Sequence, residues 1–207
     1  MNNAKKIALV FSMFAIFTWF IMPLTGEKNT TSARSLSTDI LVNANNPVLK
    51  LIADSHSPRN FIAGEINQLD IERILMSGAK APSARNYQPW HFTVVQNHEK
   101  VAAITNMAKQ GNIIIIISGN RSTTSAQFDC ALAAQNMQLA SQAIGLGARM
   151  LVNPVAGIEK NHRTAFGIPQ TYDVFIVILI GHVDKSADAV SSATPRAPLA
   201  EKVNYVK

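Results

Sequence analysis

The chain is poor in the residues that form covalent cross-links and metal sites. Cys130 is the only cysteine among 207 residues, so no disulfide can form within the chain. No Gly-x-Gly-x-x-Gly motif occurs, and a nicotinamide site of the Rossmann type is therefore not expected. No nucleophile and base stand in a recognisable arrangement. The five histidines are dispersed and lack the spacing of metal ligands, so no metal site is predicted: His56, His91, His98, His162 and His182.

Charge is also scarce, at 15% of residues, with a net charge of +6. The basic residues are scattered and no nucleic-acid motif accompanies them, so the sequence predicts a solvated basic surface and no nucleic-acid partner. Hydrophobic residues make up 47% of the chain. This content and length suit a single domain with a sizeable core.

The one long hydrophobic run lies near the N-terminus. Residues Ile7 to Leu24 carry no charge, and Lys5 and Lys6 precede them. The pattern is typical of an export signal, and a run of about 18 residues also reaches the lower range of a membrane span. Residues 1–26 are therefore expected to be either an uncleaved membrane anchor or a cleaved signal. The lysine pair predicts a domain that is anchored on the extracytoplasmic side or exported.

Residues 27–45 are rich in Ser, Thr and Asn and are expected to form a flexible tether. Residues 46–207 form the predicted domain. Apolar periodicity predicts a short helix after Asn46, and further helices and strands along the domain. The predicted helices cover residues 69–78, 99–109, 126–144 and 158–166, and the predicted strands cover 91–96, 113–117, 149–152 and 172–180. This order is typical of an α/β fold with a central mixed sheet flanked by helices.

A stiff polar loop lies between the second predicted helix and the first strand. It reads Ala-Pro-Ser-Ala-Arg-Asn-Tyr-Gln-Pro-Trp-His-Phe over residues 81–92. Pro82 and Pro89 exclude a helix interior and push the residue before each of them toward an extended conformation. Rigid polar loops between regular elements often hold ligands. Their side chains can equally stabilise the loop through local bonds to the backbone, and both interpretations stay open.

This loop resembles the Pro-Ser-x-x-Asn-x-Gln-Pro-Trp loop of FMN-dependent nitroreductases. Ser-His-Ser-Pro-Arg-Asn-Phe resembles the phosphate-binding stretch of that family, Arg-Arg-Ser-x-Arg-x-Phe. Other segments resemble its central helix and its closing Arg-x-Pro-Leu-Glu-Glu-x-Val. Because the matches occur in the same order, the chain is identified as a member of that family from about Asn46 to Tyr205. The matching segments are residues 55–61, 81–92, 133–137 with 145–147, and 196–203.

The resemblance implies one FMN per subunit and assigns residues to its phosphate. Arg59 and Arg196 would pair with the phosphate, because a guanidinium matches its geometry. His56 and Ser57 would add polar contacts. The family usually has arginine where this chain has Ser55, so one positive charge on the phosphate is missing.

The resemblance also assigns residues to the flavin ring. Pro82, Ser83 and Ala84 match positions that lie along the ring of the partner subunit's FMN, and Asn86 and Gln88 match the polar positions that follow. Backbone N–H groups near flavin N5 are implied for the segment that contains Pro154, Ala156 and Gly157. No side chain is expected to be catalytic, because the flavin performs the redox chemistry.

The implied protein is an intertwined homodimer with the nitroreductase fold. The implied reaction is a ping-pong one, in which NAD(P)H as a transient donor reduces the flavin and an electron-poor small molecule, such as a nitroaromatic or quinone, is then reduced. A short connection, Gly119 to Ser125, replaces a helical insertion of larger members and implies weak substrate selection. The alternatives are a membrane-tethered electron-relay protein without NAD(P)H turnover, a reductive dehalogenase or a flavin-cleaving relative.

Overall fold

The computed structural model describes residue 41 and residues 45–187 and 196–206. The predicted anchor or signal, and nearly all of the predicted tether, lie outside the described residues. No helix within those described residues is long and apolar enough to cross a membrane. The hydrophobic run at residues 7–24 lies outside the described residues, so its role stays a prediction.

Five strands form one sheet in the order β1-β5-β3-β2, with β4 paired to β5. Each pair is antiparallel, so the sheet is antiparallel within the described residues rather than mixed. The central strand pairs run Ile113↔Ile180 through Asn120↔Tyr172, with a register shift after Ile117. The strands are β1 (Phe61–Ile62), β2 (Trp90–Val95), β3 (Ile113–Asn120), β4 (Gly147–Leu151) and β5 (Tyr172–Val183).

The run of five isoleucines in β3 is buried because both faces of the sheet are covered. Successive side chains of a strand point to opposite faces. Ile114 and Ile116 belong to one hydrophobic cluster, whereas Ile113, Ile115 and Ile117 belong to the other. The predicted α/β class, with helices flanking a central sheet, is therefore confirmed.

The helices begin where the sequence provides capping side chains. Asn46 caps α1 with Pro47 at the first helical position, and Asn67 caps α2. Two 3₁₀ turns, Ala84–Asn86 and Leu199–Glu201, complete the described elements. The helices are α1 (Pro47–Asp54), α2 (Gln68–Ala79), α3 (His98–Ala102), α4 (Ala126–Ala143) and α5 (Val155–Gly157), which continues as a π-helix over Ile158–His162.

Two predicted helices differ from the observed ones. The helix expected at 99–109 ends at Ala102, and the loop between it and β3 packs against residues 62–64 instead. Asn112 Nδ2 donates to Ile62 O at 3.0 Å, and Gly111 has φ +82° and packs against the Gly64 backbone. The helix expected at 158–166 starts earlier, at Val155, and its regular part ends at His162.

The long helix α4 packs on the sheet and on α2. Its buried face carries small residues such as Ala133, Ala134 and Cys130. Its outer face still carries apolar side chains, with Phe128 74% and Leu132 45% exposed. An exposed aromatic and an exposed leucine one turn apart are typical of a surface that contacts another protein.

Candidate functional site

The phosphate stretch, defined here as residues 55–60, connects α1 to β1 and lies beside the start of β4. Pro58 is buried, and a Cβ at Gly147 would lie 3.0 Å from Pro58 Cγ and would clash with Val183. Glycine is therefore required at the start of β4 for the stretch to approach the sheet. Gly147 belongs to residues 145–147, the segment that follows the central helix in the family resemblance described above.

Two side chains hold the backbone of the stretch. Gln142 Nε2, near the end of α4, donates to His56 O at 2.8 Å. Arg149 Nη1, on β4, donates to Ser57 O and to Pro58 O at 3.2 Å each. These bonds tie three consecutive carbonyl groups to the end of α4 and to β4.

The predicted phosphate-binding side chains lie on this stretch. His56 is half-buried, with Nδ1 3.1 Å from Asp54 O, and Ser57 and Arg59 are exposed. Asn60 fixes the end of the stretch, because Asp184 N donates to Asn60 O at 3.0 Å. The structure thus presents a hydroxyl and a guanidinium at the surface of a backbone that is held in place.

A mainly apolar pocket of about 370 Å³ opens beside the stretch. Its polar lining comes from Asp54, His56, Gln142 and Lys185. Its apolar lining is formed by Leu51, Pro58, Leu146 and Val183, together with the backbone of Gly145 and Gly147.

The polar loop, residues 82–88, is folded back on itself. Ser83 Oγ accepts the Gln88 N–H at 2.9 Å, and Gln88 Nε2 donates to Asn86 Oδ1 at 3.2 Å. Arg85, Asn86 and Gln88 have positive φ values of 51°, 58° and 47°. Such a conformation costs a non-glycine residue about 1–2 kcal/mol and persists only where the surroundings enforce it. Pro82, Ala84, Asn86 and Gln88 are exposed, and Ser83 is half-buried.

A buried carboxylate ties this loop to the first turn of α4. Asp129 is 4% exposed. Its Oδ1 accepts the Ala84 N–H at 3.2 Å, and its Oδ2 accepts the Ser125 hydroxyl at 2.8 Å. Burial, together with the charge of Asp129, raises the pKa of the neighbouring Cys130 thiol to about 12. Cys130 is therefore a neutral thiol at physiological pH and no nucleophile.

The two predicted parts of the site lie at opposite ends of α4 within one chain. Asp129 holds the loop near the start of the helix, and Gln142 holds the phosphate stretch near its end. Thirteen residues at 1.5 Å each separate these two anchors by about 20 Å along the helix axis. One chain therefore cannot bring the two parts together.

The remaining predicted residues lie elsewhere. Pro154 precedes α5, and Ala156 and Gly157 lie exposed within it, where a Cβ at Gly157 would meet nothing within 4 Å. Arg196 is exposed at the start of the second described segment, residues 196–206. The described residues contain no group of three His, Cys, Asp or Glu side chains that could hold a metal ion.

The connection that replaces the family's insertion is short in the structure too. β3 continues to Asn120 and α4 begins at Ala126, which leaves residues 121–125 between them. Asn120 N donates to Pro89 O at 2.8 Å, so this connection begins beside the polar loop. Arg121, in this connection, forms an ion pair with Asp173 of β5 at 2.5 Å.

Sequence reasoning missed three side chains that organise the site, namely Asp129, Gln142 and Arg149. Two of them left a signal, because Asp129 is the one charged residue of α4 and Arg149 is the one charged residue of β4. Their partners lie 45 to 92 residues away along the chain. No local pattern could have identified those partners.

The described residues define a helix-flanked antiparallel sheet whose polar loop and phosphate stretch lie at the two ends of α4. The profile of the nitroreductase family matches residues 52–117 and 104–182. A protein of Archaeoglobus fulgidus, provisionally named an NADH dehydrogenase/NAD(P)H nitroreductase, is 31% identical over 152 residues, which are 68% of this chain and 87% of that protein. A protein of Methanothermobacter thermautotrophicus with the same provisional name is 32% identical over 146 residues, 65% of this chain and 76% of its own. The chain belongs to the nitroreductase family.

Solved structures agree with this assignment. A nitroreductase of Bacteroides fragilis with bound FMN superposes with a TM-score of 0.67 at 23% identity, over 79% of this chain and 100% of that chain. A provisionally named nitroreductase of Desulfovibrio desulfuricans in complex with FMN gives the same TM-score at 26% identity, over 79% of this chain and 98% of its own. The predicted nitroreductase fold is therefore confirmed.

Proposed function

We propose that this chain is an FMN-dependent oxidoreductase that uses NAD(P)H to reduce electron-poor acceptors such as nitroaromatics and quinones. Membership of the family and the names of its relatives support an oxidoreductase. The single observation that carries the proposal is the separation of the polar loop and the phosphate stretch at the two ends of α4. Two chains in antiparallel contact through α4 would bring the loop of one to the stretch of the other.

The residues of this chain fit FMN. The exposed Ser57 hydroxyl and the guanidinium groups of Arg59 and Arg196 suit a dianionic phosphate. Arg149 places a further positive charge beside the stretch, where its Nη1 donates to Ser57 O and Pro58 O. These residues, with His56, would hold the phosphate end of the cofactor.

The polar loop would hold the ring end, supplied by the partner subunit. Pro82, Ser83 and Ala84 form a surface whose conformation is fixed by Asp129 and by the Ser83–Gln88 bond. A loop that is ordered before binding loses less entropy when it contacts a flat ring. When bound, FMN would supply the hydride chemistry, and the chain would supply binding, orientation and exclusion of water.

The dimer is supported by the apolar outer face of α4. Phe128 and Leu132 are exposed there, and Val48 and Ile52 of α1 are 60% and 45% exposed. A dimer that buries such faces belongs to the obligate class, with more than roughly 2,000 Å² of buried surface. The short connection at residues 121–125 leaves the acceptor side with little cover, so we propose that selection among acceptors is weak.

Steady oxidation of NADH by the purified protein tests this function. We expect the protein with added FMN to oxidise NADH continuously in the presence of a quinone and only slowly without it. The matched control is the same protein freed of FMN, which should not oxidise NADH either with or without the quinone. Protein that binds FMN but does not oxidise NADH with quinones or nitroaromatics would contradict the proposed turnover and favour a relay role.

A further inference from the structure

Arg149 is positively charged, but the groups to which it donates hydrogen bonds are neutral. Its Nη1 donates to two neutral acceptors, Ser57 O and Pro58 O, at 3.2 Å each. No ion pair of Arg149 occurs within the part of the chain that the structure describes, and its Nε is buried without a hydrogen-bond partner there. A half-buried cation without an anionic partner is costly, and an anion bound nearby would offset part of that cost.

The bonds from Arg149 and Gln142 also fix the direction of the backbone. In a trans peptide the C=O and N–H of one unit point in opposite directions. Because His56 O and Pro58 O face Gln142 and Arg149, the N–H groups of Ser57 and Arg59 face away from them. Two N–H groups that point to the same side of a stretch form a concavity that suits an anion.

The stretch carries less positive charge than the family pattern. Ser55 and His56 stand at the first two arginines of Arg-Arg-Ser-x-Arg-x-Phe, so Arg59 is the one arginine that remains of three. Arg149 lies on a different element and reaches the same stretch from the sheet side. Its guanidinium contacts the stretch directly, through the carbonyl groups of residues 57 and 58.

We propose that Arg149 is a positioning residue for the FMN phosphate, a role that rests on the function proposed above. It holds residues 57 and 58 so that the N–H groups of Ser57 and Arg59 face the phosphate. Its guanidinium lies behind that backbone, on the side of the carbonyl groups, and adds positive charge to the stretch. A role of this kind predicts an effect on flavins that carry a phosphate and little effect on those that do not.

The first test compares FMN with riboflavin, which has the same ring and no phosphate. Arg149→Met keeps the apolar stem but removes the charge and the donors, and Arg149→Lys keeps the charge. Arg73→Met removes an exposed arginine that pairs with Asp70 on α2, away from the stretch, and serves as the matched control. Flavin fluorescence titration of each full-length protein gives both dissociation constants.

We expect Arg149→Met to weaken FMN binding by roughly 10-fold or more, because the N–H groups that bond the charged phosphate are no longer held in place, and to change riboflavin binding less than about 3-fold. Arg149→Lys should restore part of the FMN affinity, and Arg73→Met should match the wild type. Unchanged FMN affinity in Arg149→Met, or equal losses for both flavins, would overturn the proposal. A wild-type protein that binds neither flavin would instead refute the proposed function.

A second readout needs no flavin. Hydrogen–deuterium exchange of the peptide that spans residues 56–61 should be faster in Arg149→Met than in the wild type and in Arg73→Met. The reason is that two of the three carbonyl anchors are lost. Unchanged exchange there would refute the positioning role, whatever the flavin titrations show.

Discussion

The bond network of Asp129 can be tested by removing its carboxylate. Asp129→Ala leaves the Ala84 N–H without an acceptor and removes the bond from the Ser125 hydroxyl. Hydrogen bonds to charged groups contribute about 1.5–3 kcal/mol, and an acid in the first turn of a helix adds about 0.3–1 kcal/mol. We therefore expect the free energy of unfolding to fall by about 2–4 kcal/mol.

The chain offers a matched control for this change. Asp70 is also an acid in the first turn of a helix, but it is more exposed and pairs with Arg73 of its own helix. Asp70→Ala should cost only about 0.5–2 kcal/mol, because it loses a screened pair, an exposed bond from Asn67 Nδ2 and the interaction with the helix end. Asp129→Asn should lie between the two, since an amide oxygen can still accept the Ala84 N–H.

Denaturant unfolding with a constant slope gives these energies. Hydrogen–deuterium exchange then locates the effect, and amides of residues 83–88 should exchange faster in Asp129→Ala while those of β3 stay protected. A loss for Asp129→Ala no larger than that for Asp70→Ala would refute the reasoning. Unchanged exchange in the loop would refute it equally, because the carboxylate would then not hold residues 82–88.

Three further predictions follow from the same structure and sequence. The pKa of Cys130 is raised to about 12 in the folded chain, against 9.0 for a free thiol, so between these pH values the folded chain keeps the thiol proton and the unfolded chain loses it. The free energy of unfolding should therefore fall as the pH rises above about 9, by up to about 1.4 kcal/mol per pH unit. Denaturant unfolding at several pH values should show a smaller slope for Cys130→Ala. Arg196→Ala should weaken FMN binding by about 1.5–3 kcal/mol, as measured by fluorescence titration, and an unchanged dissociation constant would remove Arg196 from the site. We propose that residues 7–24 direct the chain to a membrane or for export. The full chain should then fractionate with membranes or be processed, and a version that begins at Thr38 should be soluble. Unprocessed full chain recovered from the cytosol without detergent would contradict this proposal.

Much of the fold could be predicted because it is determined by local periodicity. The five isoleucines of β3 indicated a strand buried on both faces, and the apolar helix at residues 126–144 was predicted to within one residue of its end. Asn46 followed by Pro47 marked the start of α1 correctly. These features depend on neighbours in sequence, which is why the chain itself shows them.

The parts that could not be predicted depend on contacts between distant residues. α3 ends at Ala102 rather than near residue 109, since Asn112 turns the chain to bond Ile62 of β1. The positive φ values of the polar loop are maintained by its own side-chain bonds and by Asp129. The role of Arg149 appears only when β4 is placed beside residues 57 and 58.

The central claim is that one flavin site is built from two chains. Analytical ultracentrifugation of the version that begins at Thr38, followed by flavin absorbance, tests it most directly. The account predicts that FMN sediments with a dimer at one FMN per subunit, and that dilution into monomers releases the flavin. A stable monomer that retains FMN at sub-micromolar protein concentration would show that the site is built from one chain, and would contradict the account.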